Sequence, residues 1–582
     1  MLRANLWSNA TSAIAFALIL TSTLATASPR PAADSKPDLG PNVVIFSPAM
    51  PQKAMQEQID QAYSVEQRSE FGSARYAFLF LPGTYHLDVP VGFYTQVLGL
   101  GKTPDAVHII GNVHADASYK NNNATTTFWR AAEGFSVTPT GGTMQWAVSQ
   151  AVPFRRMHVL GNIVLHQHHG WASGGWMSDA LVDGNVDSGS QQQWISRNSE
   201  WKSWTGSNWN MVFVGSQNLP EGEWPDPPYT KVMKTPVVRE KPFLEVDDNG
   251  QWSVCVPELR KDSIGITWHG GATPGKRIPL DQFYIAKPGA DVAAAINAQL
   301  AQGKHVLLTP GIYDLTEPIR VTRPDTVVLG LGFATLKPVH GTAALTTADA
   351  DGIEIAGLLF DAGAETSPVL AEIGTEASKA RHTENPITLH DVFFRVGGAG
   401  AGGTKTNLRI NSNDVIVDHT WIWRADHGKG VGWTSNPSAN GLVVNGDNVI
   451  TYGLFVEHHQ QFQVLWNGNG GRTYFYQSEI PYDPPDQPSY TSAPGTNGWA
   501  SYKVADNVTT HEAWGLGIYS VFLQPHVTLT RAIEVPKKPE IRFHHIITVA
   551  LGDKGGISNV IDDEGGPTSI KPRVTPKVAE FP

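Results

Sequence analysis

The feature that most restricts the possible folds is an internal repeat. The segment PGTYHL at residues 82–87 recurs as PGIYDL at 310–315, and VLGLG at 97–101 recurs unchanged at 328–332. A helix-like segment precedes each copy, and a run of short β-like segments follows it. A repeat of this kind predicts two tandem domains with the same architecture.

The segments that follow the second copy indicate what this architecture is. They have period-2 patterning, β-branched and aromatic residues, and Gly, Asn or Asp at their ends: 351–360, 386–394, 414–423 and 448–456. Spacings of about 25–35 residues fit the coils of a parallel β-helix, and a helix in front would cover the strand edge at its open end. The predicted fold class is therefore all-β, with two tandem right-handed parallel β-helices, each with an N-terminal capping helix. A β-propeller and a pair of β-sandwiches are the alternatives, and the helix-capped repeat disfavours both.

The ends of the chain and the stretch between the repeats differ from the repeats themselves. Residues 1–27 have the features of a secretory signal, namely Arg3, an apolar run and an Ala-Thr-Ala cleavage site. The stretch between the repeats is rich in proline and has little periodicity. The predicted domains are a first β-helix at 42–216, a connector at 217–279, a second β-helix at 280–560 and a C-terminal tail at 561–582.

Composition limits the compartment and the partners. A net charge of −11 argues against binding to nucleic acid or to an anionic membrane surface. The apolar run near the N-terminus is too short to span a bilayer. We therefore expect a secreted, extracellular protein that does not bind a membrane. Cys255 is the single cysteine, so no internal disulfide can form and stability must come from a large buried core.

Two glutamates in the segment 453–483 are the strongest candidates for chemistry. Glu457 and Glu479 are 22 residues apart, about one β-helix coil, and both have aromatic neighbours. Positions one coil apart lie on adjacent strands, about 4.8 Å apart. Two carboxyl groups so close cannot both ionise easily, and a carboxyl group that stays protonated is what glycosidic bond cleavage requires. The alternative is that the two glutamates lie separately on a solvated face.

Several longer stretches carry a family resemblance. The relevant segments are 144–156, 172–175, 188–193, 453–483, 500–505 and 511–515. On these segments the chain resembles glycoside hydrolase family 55, the extracellular β-1,3-glucanases built from paired β-helical domains of the pectin-lyase type. The resemblance implies exo-acting hydrolysis of β-1,3-glucan with inversion at the anomeric carbon. It also implies that the partner is this polysaccharide and that no cofactor takes part; we expect the protein to act as a monomer.

The same resemblance implies roles for particular residues. Glu479 corresponds to the general acid and Glu457 is its acidic neighbour, while Gln150 and Ser173 of the first domain are expected to hold the attacking water. Carboxylates one coil apart would also suit a retaining pair. If the water is held across the domain joint, Glu457 tunes a pKa or binds substrate and is not a nucleophile.

Other polar and aromatic residues are candidates for binding sugar: Gln192, Gln193, Trp433, Trp466 and Tyr482. The two glutamines could instead form an amide ladder between coils, and the two tryptophans could simply be buried. The histidines at 166–169 and 458–459 match no zinc-binding spacing, so no metal site is expected. Residues 484–497 are expected to form a wall of the site. A polysaccharide lyase, with Arg424 and Asp426 as a weak indication, and a non-catalytic carbohydrate-binding β-helix remain as alternative functions.

Overall fold

The structure is a computed structural model that describes residues 36–582, so the proposed secretory signal lies outside the described residues. Residues Asp38–Pro582 form one compact unit. The described chain is built mainly from β-strands, with α-helices α1 (Gln52–Glu66) and α2 (Val292–Ala301). No helix in the range 36–582 is both long and apolar enough to cross a membrane.

The first β-helix consists of two sheets whose neighbouring strands run parallel. Sheet 1 contains Val43–Phe46, Tyr76–Phe80, Thr95–Gly99, Arg130–Glu133, Pro153–Arg155, Trp176–Ser178, Gln193–Arg197, Asn210–Val214 and Tyr229–Val232. Sheet 2 contains Gly83–Pro90, Val107–His114, Ser136–Pro139, Thr143–Gln145, His158–Val159, Asn162–Val164, Leu181–Asp187 and Glu200–Thr205.

The second β-helix repeats this arrangement with longer strands. Sheet 3 contains Phe283–Ala286, His305–Leu308, Ile312–Leu315, Val327–Pro338, Glu354–Asp361, Thr388–Val396, Ile416–Arg424, Ile450–Glu457, Gly471–Glu479, His511–Ser520, Ile541–Ala550 and Lys577–Phe581. Sheet 4 contains Ile319–Val321, Leu345–Thr347, Ala371–Ile373, Thr404–Ile410, Ser438–Val444, Val464–Trp466, Tyr502–Val504, Thr528–Glu534 and Gly556–Ile561. The predicted fold class, two tandem parallel β-helices, is confirmed.

The segments outside the β-helices are more ordered than their composition suggests. The connector forms two small antiparallel sheets: Thr235–Val238 with Arg260–Ser263, and Phe243–Val246 with Trp252–Pro257 and Gly275–Pro279. Sheet 1 continues to Val232, beyond the predicted boundary at 216. In the segment predicted as a tail, Lys577–Phe581 pairs antiparallel with Ile541–Ala550. Short hairpins at Thr491–Ala493 with Thr496–Asn497 and at Ser569–Ile570 with Arg573–Val574 complete the strands.

The repeated Pro-Gly-x-Tyr segment has the same structural role in both domains. The hydroxyl of Tyr85 donates to the carbonyl oxygens of Leu81 at 2.7 Å and Phe46 at 3.2 Å. The hydroxyl of Tyr313 donates in the same way to Thr309 and Ala286, both at 2.8 Å. Each tyrosine thus satisfies backbone acceptors at the first coil, next to the capping helix. This shared task explains the repeat that the sequence shows.

Sheets 1 and 3 pack face to face, and the joint between them contains buried charges. Arg155 donates to Asp391 at 2.9 Å and to Asp418 at 2.8 Å, and Arg197 donates to Asp418 at 2.9 Å. These four side chains are at most 3% exposed. Buried guanidinium and carboxylate groups are tolerated only when they are paired, so this network fixes how the two β-helices meet.

Candidate active site

The two candidate glutamates lie side by side at the carboxyl ends of two neighbouring strands of sheet 3. Strands Ile450–Glu457 and Gly471–Glu479 pair in parallel register, and Glu457 is directly opposite Glu479 at their carboxyl ends. Glu457 is 3% exposed, whereas Glu479 is partly exposed to the space between the domains. The spacing of one coil therefore places the two carboxyl groups on neighbouring strands.

Glu457 accepts hydrogen bonds from three side chains. Gln150 Nε2 donates to its Oε1 at 2.9 Å, Gln477 Nε2 donates to the same oxygen at 2.7 Å, and Trp421 Nε1 donates to Oε2 at 2.8 Å. Burial raises the pKa of Glu457, while the nearby His458 and the hydrogen bonds from Gln477 and Trp421 oppose that rise. Donors on both oxygens favour the ionised form.

The environment of Glu479 differs from that of Glu457. Burial raises its pKa well above the ordinary value, and the negative charges of Glu457 and Asp426 add to the effect. The hydroxyl of Tyr482 contacts its Oε2. The neighbouring position on the next strand is Tyr519, a large aromatic residue that excludes water. Burial thus raises the pKa of both carboxyl groups, that of Glu479 more strongly, so Glu479 is the member of the pair better suited to hold a proton.

A cavity of about 260 Å³ opens above the pair, between the two β-helices. The first domain contributes Thr125, Thr126, Phe128, Gln150, Ser173 and Gln192. The second contributes Trp421, Trp423, Asp426, His427, Glu457, His458, Glu479, Tyr482 and Leu551. The structure thus brings together six of the catalytic and sugar-binding candidates: Gln150, Ser173, Gln192, Glu457, Glu479 and Tyr482. Gln150 Nε2 also lies 3.2 Å from Ser173 Oγ, so these two form one polar group facing Glu457.

Three of the candidate sugar-binding residues do not line this cavity. Gln193 is 1% exposed and points toward the Ser173 carbonyl, and Trp466 is 0% exposed inside the second β-helix, stacked on Tyr502. Trp433 packs edge-on against Tyr490 outside the cavity wall. Neither Gln193 nor Trp466 presents surface to this cavity, and Trp433 lies away from it, so the cavity does not support the sugar contacts predicted for these three residues.

The wall of the cavity also differs from the prediction. Residues 484–497 do not contribute to the lining; they form a segment with a short hairpin that is mostly exposed, although Tyr490 is buried. An aromatic group lines the wall instead: the rings of Trp421 and Trp423 are stacked with centroids 4.7 Å apart, and Phe128 lies 4.7 Å from Trp421. Trp423 occupies the strand position beside Glu457, one coil earlier, so the same register argument could have identified it.

Two charged residues lie beside the aromatic group: His427, which the sequence did not indicate, and Asp426, which it indicated only weakly and for a lyase. His427 Nδ1 donates to Asp426 Oδ1 at 2.9 Å. Burial alone would raise the pKa of Asp426, but the hydrogen bond from His427 and the charge of His458 lower it to about 2. Asp426 is therefore an ionised carboxylate at the cavity wall. Within residues 36–582, no group of three or more His, Cys, Asp or Glu side chains is arranged to hold a metal ion.

A pair of carboxyl groups on neighbouring coils, under an aromatic-lined cavity between two β-helices, is typical of a glycoside hydrolase. The family model described as the LAM55 pectate lyase-like domain matches residues 283–479. An exo-beta-1,3-glucanase from Streptomyces sp. (strain SirexAA-E / ActE) is 46% identical over 548 residues, which cover 94% of this chain and 90% of the relative. The chain belongs to glycoside hydrolase family 55.

Solved structures agree with this assignment. The structure of sacteLam55A from Streptomyces sp. SirexAA-E superposes with a TM-score of 0.92, at 46% identity and with coverage of 94% of this chain and 99% of that chain. A variant of sacteLam55A with one glutamate replaced by alanine, in complex with glucose, matches with the same TM-score of 0.92, identity and coverage. The similarity therefore spans both β-helices and the connector.

Proposed function

We propose that this enzyme releases glucose from the end of β-1,3-glucan chains by a single displacement with inversion, with Glu479 as the general acid. The observation that carries the proposal is the pairing of Glu479, whose pKa burial raises, with Glu457, whose oxygens accept hydrogen bonds from three donors. A protonated carboxyl group can deliver a proton to the departing glycosidic oxygen. The similarity to an exo-beta-1,3-glucanase supports the choice of glucan.

Glu457 is poorly suited to act as a nucleophile. It is 3% exposed, and its two oxygens accept hydrogen bonds from Gln150, Gln477 and Trp421. An attack on the anomeric carbon would require these bonds to be given up. We infer that Gln150 and Ser173, which lie 3.2 Å apart and face Glu457 from the first domain, hold the attacking water. As the water attacks, the new C–O bond forms and the glycosidic C–O bond breaks; Glu479 protonates the departing oxygen and the water loses a proton to solvent, so the anomeric centre is inverted.

The arginine that indicated a lyase is already paired. Arg424 was the sequence indication for it, but this arginine is 1% exposed and forms a bidentate pair with Asp483, both bonds being 2.8 Å. A guanidinium held in this way is not available to remove a proton from a sugar carbon. Within the described part of the chain, the glutamate pair accounts for the site better.

Early product analysis on laminarin tests the proposal. We expect glucose as the first product, with the α-anomer formed initially, because attack by water inverts a β-linkage. Proton NMR within the first turnovers separates the anomers before mutarotation. Mixed oligosaccharides with a rapid fall in viscosity would contradict exo action, initial β-glucose would contradict inversion, and an unsaturated product would indicate a lyase.

We also propose that the enzyme acts outside the cell as a monomer on its polysaccharide. Residues 1–27 support export, because they combine a positive charge, an apolar run and a small-residue cleavage site. N-terminal sequencing of protein recovered from the culture medium should begin after Ala27. Recovery only inside the cell, with residues 1–27 attached, would contradict the proposal.

A further inference from the structure

The segment that joins α1 to the next strand, residues 67–75, crosses from the first domain to the second; we call it the strap. It is anchored at both sides of the joint. The hydroxyl of Tyr94 donates to the Glu70 carbonyl at 2.6 Å, and Arg395 of the second domain donates to the same hydroxyl at 2.6 Å. Arg75, at the end of the strap, donates to Thr335 of the second domain at 2.9 Å.

Two strap side chains lie directly behind the cavity wall. Phe71 is stacked on Trp423, with centroids 6.2 Å apart and planes 11° apart, and meets the edge of His427 at 5.5 Å. A side-chain carbon at either Gly398 or Gly428 would overlap the Phe71 ring. The absence of a side chain at these two positions of the second domain therefore allows the ring to pack there. Trp423 and His427 both line the cavity, whereas Phe71 itself does not.

Glu70 makes the electrostatic contact. Its Oε1 accepts a hydrogen bond from His427 Nε2 at 2.6 Å, and its Oε2 accepts one from Lys120 at 3.2 Å. The other ring nitrogen, His427 Nδ1, is bonded to Asp426. His427 is thus held between two carboxylates, one from each domain, and only the protonated ring can donate to both.

From this arrangement we propose that Glu70 and Phe71 are positioning residues, which fix His427, Trp423 and the Asp426 carboxylate in the geometry that binds the terminal sugar. The inference rests on the proposed function, because the terminal sugar is the group that would occupy the cavity. Neither strap residue reaches the reacting atoms, so the strap acts on substrate binding and not on proton transfer. A carboxylate from the first domain thereby sets the protonation state of a histidine in the second.

The charges around His427 determine how this arrangement depends on pH. Glu70 and Asp426 contact the ring, Lys120 lies on the far side of Glu70, and His458 and Glu479 are close to Asp426. Burial alone would lower the pKa of His427, but the hydrogen bonds that its ring donates to Asp426 and Glu70 raise it to about 10. Removing the Glu70 charge also leaves Lys120 unpaired, and both changes disfavour the imidazolium.

The decisive variant is Glu70→Gln, with Glu57→Gln as its matched control. Glu57 lies on α1 and is exposed, and its partner is Lys53 at 3.8 Å. One opposite charge within hydrogen-bonding distance shifts a pKa by about 1–3 units, so the pKa of His427 should fall by this amount in Glu70→Gln. The ratio of the KM of Glu70→Gln for laminarin to the wild-type KM at the same pH should then rise about tenfold from pH 5 to pH 9. The kcat of the variant should stay within about twofold of the wild-type kcat. The control should match the wild type.

Phe71→Leu provides a second test that does not alter charge. It removes the stacked ring but leaves Glu70 in place, so KM should rise by a similar factor at every pH. A role in folding alone would lower the melting temperature of either variant without this split between KM and kcat. If both variants keep the wild-type KM at every pH, or lose kcat instead, the inference is wrong.

The inference and the proposed function fail in different ways. Titration of histidines labelled with ¹³C at Cε1, followed by NMR, reports the pKa of His427 without any substrate. If the wild type does not hydrolyse laminarin, the proposed function fails, while a lower pKa of His427 in Glu70→Gln would still support the strap. If the wild type is active and the pKa of His427 is unchanged in Glu70→Gln, the strap inference fails alone.

Discussion

At the scale of single residues, the proposed hydrolysis depends on two glutamates with different environments. Desolvation and the charge of Glu457 raise the pKa of Glu479, which favours its protonated form. Because only the protonated form can donate, kcat/KM on laminarin should stay high above the ~4.3 of a free glutamate and fall as pH rises through the raised pKa. A pH profile of kcat/KM checks this. A decline centred on the ordinary glutamate value would show that the acid is a solvated carboxyl group.

The residues of the site could be predicted only in part. Register along the chain identifies Glu457 and Glu479, because positions one coil apart must be neighbours. The same pattern does not say which face of a short strand points inward, and Trp466 proved to be interior. Glu70 lies far from His427 in the sequence, and no local pattern connects them.

At the scale of secondary structure elements, the repeated Pro-Gly turn is a backbone requirement as well as a sequence signature. Gly311 has φ of +157°, and a side-chain carbon there would overlap the ring of Pro288. Gly311→Ala should therefore destabilise the protein by about 1–3 kcal/mol or more, through strain and lost packing at the first coil. Gly289→Ala is the matched control, because it has open space within 4 Å. Equal melting temperatures for the two variants would contradict this role.

The elements were more predictable than the boundaries between them. Alternating apolar residues in segments such as 351–360 correspond to the observed strand Glu354–Asp361, because one face of each strand must be buried. The connector was harder, since its strands pair antiparallel through contacts distant in sequence, as Thr235–Val238 does with Arg260–Ser263. Proline content indicated a linker, but tertiary pairing makes it a part of the joint.

At the scale of the whole molecule, buried charge holds the two β-helices together. Asp418 is 0% exposed and accepts hydrogen bonds from Arg155 and Arg197. Replacing it by Asn removes a carboxylate partner from each of two buried guanidinium groups. Breaking a buried ion pair lowers the free energy of unfolding by about 3–5 kcal/mol. Calorimetry at neutral pH should show this loss for Asp418→Asn. Asp553→Asn is the control, because Asp553 is half-exposed and pairs only with Lys571, so little change is expected.

The ion pairs of Asp418 with Arg155 and Arg197 also predict how acid affects the joint between the two β-helices. Burial would raise the pKa of Asp418, but the charges of Arg197 and Arg155 and the hydrogen bond to His390 lower it far below the ordinary value. Its stabilisation is therefore fully present above about 3.9, the pKa in the unfolded chain, and is lost as pH falls below that value. The difference in stability between wild type and Asp418→Asn should shrink below that pH. A constant difference would contradict the pairing.

The most direct test of the account is hydrolysis by Glu479→Gln, compared with Glu457→Gln. Glutamine keeps the size of Glu479 but cannot deliver a proton, and general acid catalysis is worth about 10²–10⁴-fold. We expect Glu479→Gln to bind laminarin normally, to hydrolyse it at least about a hundredfold more slowly, and to lose much less activity on a dinitrophenyl β-glucoside, whose leaving group needs no proton. Near-normal laminarin hydrolysis by Glu479→Gln, with none by Glu457→Gln, would exchange the roles of the two glutamates.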